Sequence, residues 1–157
     1  MRRIEQTGYQ ASYLSYLWEE SMSGAQNPLS IDVSVPRADA ALLAVDGFLD
    51  IDTATELHHH LANQLHHGRR HFLLDLSGVP FMDSSGMNVI LRGYQETREV
   101  AGSVHVIAPT PAVRRILDLT GVSLTVSLAD SVDEALAHVD ARAAHASPED
   151  ATGTPGT

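Results

Sequence analysis

Four consecutive residues, Asp83-Ser84-Ser85-Gly86, and nine histidines are where side-chain type and spacing in this 157-residue chain could support chemistry. A serine beside a carboxylate in a strand-to-helix turn invites a hydrolase reading, because α/β-hydrolases set their nucleophile in such a turn. The pattern does not match. A nucleophile elbow is Gly-x-Ser-x-Gly, and Met82 stands where the first glycine is needed, with a side chain that would clash in so strained a turn. No glycine run suited to an oxyanion hole precedes the serines, so no enzymatic activity is expected. A phosphate-cradling glycine loop ending in lysine is also excluded, since the chain contains no lysine.

The histidines His58-His59-His60 and His66-His67 suggest metal binding until their spacing is considered. Chelation from one helix requires ligands three or four residues apart on one face. The two clusters are six to nine apart, and His67 and His71, four apart, have the helix-breaking Gly68 between them. They read as the solvated face of a helix. His105 and His138 are isolated in sequence and receive no role, and neither a metal nor a cofactor is expected. The serine pair has a plain structural reading, in which one hydroxyl caps the first turn of a helix and the other faces water. The same position also suits a switch, because a helix N-terminus offers unpaired N–H groups and a positive dipole end to an added phosphate. A phosphate there would bring about −1.5 to −2 charges beside Asp83.

The elements that must position these residues follow from hydrophobic period and punctuation. Ile31, Val33 and Val35 alternate with Asp32 and Ser34, as in a strand with one wet face. Pro36 to Asp39 supplies a turn, and Ala40 to Asp46 is apolar enough for a strand buried on both faces. After Gly47, Thr53 and Glu56 have capping-box spacing, opening a helix to His67 that Gly68 stops. Phe72 to Leu76 is the next strand, and Asp83 to Gly86 opens a helix with Met87, Ile90, Leu91 and Tyr94 on its apolar face. Val104 to Ala108 is a strand, Thr110-Pro111 starts a helix that ends at Gly121, and Leu124 to Val126 is expected as a last short strand. Ser131 and Glu134 repeat the capping-box spacing before a final helix. Strands alternating with helices in this way imply an α/β fold with a mostly parallel sheet and an N-terminal β-hairpin.

Composition narrows the class further. Hydrophobic residues make up 43% and charged residues 19% of the chain, which is globular, and no apolar run approaches the roughly 18 residues of a membrane span. The absence of cysteine excludes disulfides and thiol chemistry. A net charge of −10, with arginines mostly single or in three pairs, argues against nucleic acid as a direct partner. A cytoplasmic protein without membrane attachment is expected. Residues 1–29 hold Tyr9, Tyr13 and Tyr16 at the spacing of one helical face, yet so short a helix is marginal alone. That segment is expected to be a loosely ordered extension, residues 30–140 the domain, and 141–157 a disordered tail.

The run Leu73-Leu74-Asp75-Leu76-Ser77-Gly78-Val79-Pro80-Phe81-Met82-Asp83-Ser84-Ser85-Gly86-Met87-Asn88-Val89-Ile90-Leu91 closely resembles the signature of the STAS domain of bacterial anti-sigma-factor antagonists. Agreement extends over Gly102 to Ile107, Thr110 to Leu117, Gly121 and the last helix, or about residues 30–140. The resemblance implies a STAS fold: an α/β domain with a mixed, mostly parallel sheet of four to five strands and about four helices. It also implies a non-enzymatic partner switch. Unphosphorylated, such a protein binds an anti-sigma factor with serine-kinase activity and frees a sigma factor; phosphorylated, it is silenced until a phosphoserine phosphatase restores it. The serine so marked would be Ser84, with Ser85 left as the cap, and Asp83, Ser85, Gly86, Met87, Phe48 and Asp50 near the partner. The family tends to carry Gly-Glu-Leu-Asp before the first helix, whereas this chain has Gly47-Phe48-Leu49-Asp50. Phe48 is therefore expected to face water and influence partner choice. The other reading is a STAS module without phospho-switching, acting as a scaffold, a transport-complex subunit or a nucleotide-sensing domain.

Overall fold

The computed structural model describes residues 29–153, with side chains to residue 144. The tyrosine- and tryptophan-bearing segment before Leu29 and the last four residues lie outside the described residues. Five strands lie side by side in chain order: β1 (Leu29–Arg37), β2 (Ala40–Gly47), β3 (His71–Gly78), β4 (Ser103–Ile107) and β5 (Ser127–Ala129). The first pair is the antiparallel hairpin, in register from Leu29 opposite Gly47 to Ser34 opposite Leu42, with a register shift before Arg37 meets Ala40. Every later pair is parallel. The helices α1 (Ala54–His66), α2 (Ser84–Arg98), α3 (Pro111–Thr120) and α4 (Val132–Gly153) fill the connections and close the chain.

Strand alternation sorts the core into two layers. Ala41, Leu43, Phe72, Leu74, Val104 and Val106 point to one face and pack with Leu57 and Leu61 of α1, Val89 and Ile90 of α2, and Val113 and Leu117 of α3. Each such aliphatic or aromatic side chain contributes about 1.5–3 kcal/mol by leaving water. Ala40, Leu73, Ile107 and Ala129 point to the other face, covered by Ala135, Val132 and Leu136 of α4. The half-buried Ile31 and Val33 of β1 pack on the larger layer, whereas Asp32 and Ser34 are exposed. This explains the wet face read from their alternation, except that Val35, expected on the apolar face, is 42% exposed next to the register shift between Ser34 and Arg37.

Several local expectations give way. Leu29 is 1% exposed and already in β1, so the sheet begins one residue inside the presumed extension. The Thr53–Glu56 capping box does not form: Thr53 has helical backbone angles and makes no side-chain cap. Its hydroxyl donates instead to the carbonyl of Phe48 at 2.6 Å. Leu124 to Val126 is not a strand. Val122–Leu124 is a 3₁₀ turn with Leu124 91% exposed, and the short edge strand begins at Ser127. Gly121, at φ +83°, makes the left-handed step between α3 and that turn, a conformation glycine adopts without steric cost. Finally, α4 continues to Gly153 where a disordered tail is expected from residue 141. Ala141, Arg142, Ala143 and Ala144 are strong helix formers, and lengthening an existing helix needs no new nucleus.

Candidate functional site

The candidate site is assembled where the parallel strands β2, β3 and β4 end in loops. After β2, residues 48–53 form a tight loop held by Asp50. Its carboxylate oxygen Oδ1 accepts the amides of Asp52 at 3.0 Å and Thr53 at 3.1 Å, while its own amide donates to the Thr53 hydroxyl at 3.0 Å. Asp50 is only 5% exposed. After β3, residues 79–83 run alongside this loop as a short parallel bridge between Leu49 and Met82. The Leu49 amide donates to the Phe81 carbonyl at 3.0 Å, and the Asp83 amide donates to the Leu49 carbonyl at 3.1 Å. Leu49 and Met82 are fully buried beneath, and the rings of Phe48 and Phe81 meet at 5.5 Å. A third loop, after β4, joins through the Thr110 hydroxyl, which donates to the Val79 carbonyl at 2.8 Å.

This bracing fixes the first turn of α2. Asp83 is its N-cap, with extended backbone, and its carboxylate accepts the Ser85 amide at 2.8 Å. Neither serine caps the helix: both lie within it and supply amides that need acceptors. Ser84, the first helical residue, is exposed; Asp83, Ser85 and Met87 are half-buried. Gly86 is buried against the neighbouring loop, where a Cβ would stand 2.8 Å from Met82 Cγ and 2.9 Å from Leu49 Cβ. The glycine thus permits the close approach that holds Ser84 at the rim.

The structure brings Asp83, Ser84, Ser85, Gly86 and Met87 together with the Phe48–Asp50 loop, but with a division of roles. Phe48 does not face water. It is 8% exposed, because the Leu49–Met82 bridge turns the loop inward and stacks its ring toward Phe81. Asp50 likewise spends its carboxylate on its own loop. The exposed apolar residue of that loop is Ile51, at 73%, which sequence reasoning missed; its place between two aspartates in a presumed turn was the available signal. The histidines of α1 are exposed or half-buried, with His58 3.7 Å from Glu96. Among the described residues no group of three or more His, Asp or Glu is placed to hold a metal ion. No described helix is long and apolar enough to cross a membrane.

Comparison with known proteins adds identity to this geometry. The STAS domain profile matches residues 32–135. The anti-sigma F factor antagonist of Paenibacillus polymyxa is 31% identical over 103 residues, covering 60% of this chain and 88% of that protein. The crystal structure of an anti-sigma factor antagonist from Mycobacterium paratuberculosis superposes with a TM-score of 0.65 at 28% identity, over 71% of this chain and 94% of that one. The antagonist SpoIIAA in its unphosphorylated form shares the fold, with a TM-score of 0.64 at 19% identity over 71% and 97% of the two chains; SpoIIAA from Bacillus is also known in a phosphorylated form. Because the STAS domain match covers more than half of the chain, the chain belongs to the STAS-domain family, among relatives named as anti-sigma factor antagonists.

Proposed function

We propose that this protein is an anti-sigma factor antagonist regulated at Ser84. Unphosphorylated, it binds an anti-sigma factor that has serine-kinase activity, and a sigma factor is released. Phosphorylation of Ser84 by that same partner ends the interaction, and a phosphoserine phosphatase restores it. The observation that carries this reading is the contrast within one helical turn: Ser84 is exposed, while Asp83 takes the capping role and Ser85 is half-buried behind it. A phosphate on Ser84 would sit at the positive end of the α2 dipole, so the fold tolerates it. A partner lying on the same turn would meet two further negative charges beside Asp83, on a chain that already carries −10. The contact surface in this reading consists of Ser84, the exposed parts of Asp83, Ser85 and Met87, and Ile51. Phe48, Asp50 and Gly86 shape it from beneath.

The reading is tested by titrating an anti-sigma factor of the kinase type with the wild-type protein and with Ser84→Ala and Ser84→Asp variants. Ser84→Ala should bind as wild type and stay active in the presence of ATP. Ser84→Asp should remain folded and bind at least about tenfold more weakly, which corresponds to about 1.4 kcal/mol. Equal binding by all three would favour a STAS module that acts as a scaffold without a phospho-switch.

A further inference from the structure

Beneath α4 the sheet carries a buried polar chain unrelated to the Ser84 face. His71 of β3 stands opposite Ser103 of β4, and His105 follows on the same side of β4. The Ser103 hydroxyl lies 2.7 Å from Nδ1 of His71 and 2.7 Å from Nε2 of His105. All three residues are buried, His105 completely. From α4, the ring of His138 stacks on His105 at 6.3 Å between centroids and 30° between planes, and its Nδ1 lies 3.2 Å from the Ser127 hydroxyl. At the other end, His71 Nε2 is 3.7 Å from the Asp39 carboxylate in the hairpin turn. Among the described residues, His105 Nδ1 is buried with no hydrogen-bond partner.

Counting protons gives the chain a direction. A serine hydroxyl has one hydrogen, so Ser103 donates to one imidazole and accepts from the other. If it donated to His105, an N–H would be stranded on the buried Nδ1 and the bare Nε2 of His71 would face a carboxylate. In the opposite sense His105 Nε2–H donates to Ser103, Ser103 donates to His71 Nδ1, and His71 Nε2–H points to Asp39. Only the Nδ1 lone pair of His105 is left without a partner, the cheaper orphan. With both sides of its hydroxyl engaged at 5% exposure, Ser103 is not offered to a substrate.

We propose that the His71–Ser103–His105 chain, closed over by His138, is an acid-sensitive latch that holds α4 on the sheet, and that a proton on His105 Nδ1 opens it. That nitrogen is the one vacant proton site in the chain, and it lies where a cation finds no acceptor. The charged and titratable groups around it are already engaged with one another. Arg37 of β1 pairs with Asp140 of α4 at 2.7 Å and with Asp39 at 3.8 Å; Arg70, just before β3, lies 4.0 Å from Asp39. Glu134 of α4 faces His138 at 3.8 Å, and Arg142 of α4 donates to the Gly102 carbonyl at 3.4 Å. Burial, with His71, His138 and Arg142 as nearby like charges, holds the His105 pKa down at about 4. Burial also lowers that of His71, against the pull of Asp39. Protons therefore bind preferentially when α4 is lifted and His105 meets water, so lifting becomes easier as pH falls from 6.5 toward 4.

Amide hydrogen exchange of the full chain, corrected for intrinsic rates, tests the latch. Between pH 7 and pH 5 the protection of α4 should fall by about tenfold or more while β2 and β3 keep theirs. In a Ser103→Ala/His105→Leu variant, which keeps His71, the fall in α4 protection should be much smaller. Unchanged protection in the wild type, or an equal fall in the variant, would overturn the proposal. If the variant does not fold, ¹⁵N spectra of the wild-type imidazoles decide. His105 should carry its proton on Nε2 at neutral pH and titrate together with α4 release; the opposite tautomer, or release that follows another histidine, contradicts the latch.

Discussion

The Asp83 carboxylate accepts the Ser85 amide at 2.8 Å, and Ser84 is the residue of that turn that is exposed and takes no part in the cap. A family pattern alone assigns the serine; the hydrogen bond explains why modifying it need not disturb the helix. Phe48 illustrates the converse. Its position after a strand-ending glycine predicts exposure, but the isolated tertiary bridge between Leu49 and Met82 folds it against Phe81. Phe48→Glu restores the acidic residue common in the family, yet here it places a charge in a site 8% exposed. The substitution should cost about 3 kcal/mol or more, from lost burial plus desolvation, as measured by urea unfolding. Unchanged stability together with altered partner binding would return Phe48 to the interface.

At the scale of elements, the start of α1 depends on Asp50 rather than on the Thr53–Glu56 pair that its spacing suggests. Asp50 satisfies two loop amides, and Thr53 ties the loop back to Phe48. Asp50→Ala should therefore lower stability by about 1–2 kcal/mol, as for a lost cap with buried amides. Glu56→Ala should change it by less than about 0.5 kcal/mol, as for a surface substitution; thermal melts of the two variants distinguish the cases. The long elements were legible because their signals are local: the alternation at Ile31 and Val33, the Thr110-Pro111 helix start, and the Gly121 stop. The same holds for Ser131, which accepts the Glu134 amide at 3.1 Å. β5 was not legible. It has three residues, and the apolar Leu124 that marked it is exposed in a 3₁₀ turn. The polar chain under α4 was equally hidden, since His71 and Ser103 are 32 residues apart and meet only through strand register.

Across the whole molecule, the two faces of the sheet separate two kinds of behaviour. The edge above β2, β3 and β4 carries the Ser84 turn, while the α4 face buries His71 and His105 in neutral form. Both imidazoles have pKa values below the ordinary 6.5, chiefly because burial penalises the cation. The unfolded chain then binds protons first, so stability from these groups is complete above pH 6.5 and is lost as pH falls, for His105 toward about 4. His105 can contribute a slope of up to about 1.4 kcal/mol per pH unit in that window. Urea midpoints measured between pH 7.5 and 5 should fall, and fall less in His105→Leu. The central claim concerns the other face, and it is tested most directly by mapping phosphate. After incubation with its anti-sigma factor and ATP, the protein should carry one phosphate, on Ser84, and the modified form should dissociate from that partner. Phosphate on Ser85, or a stable complex that leaves Ser84 unmodified throughout, would contradict the account.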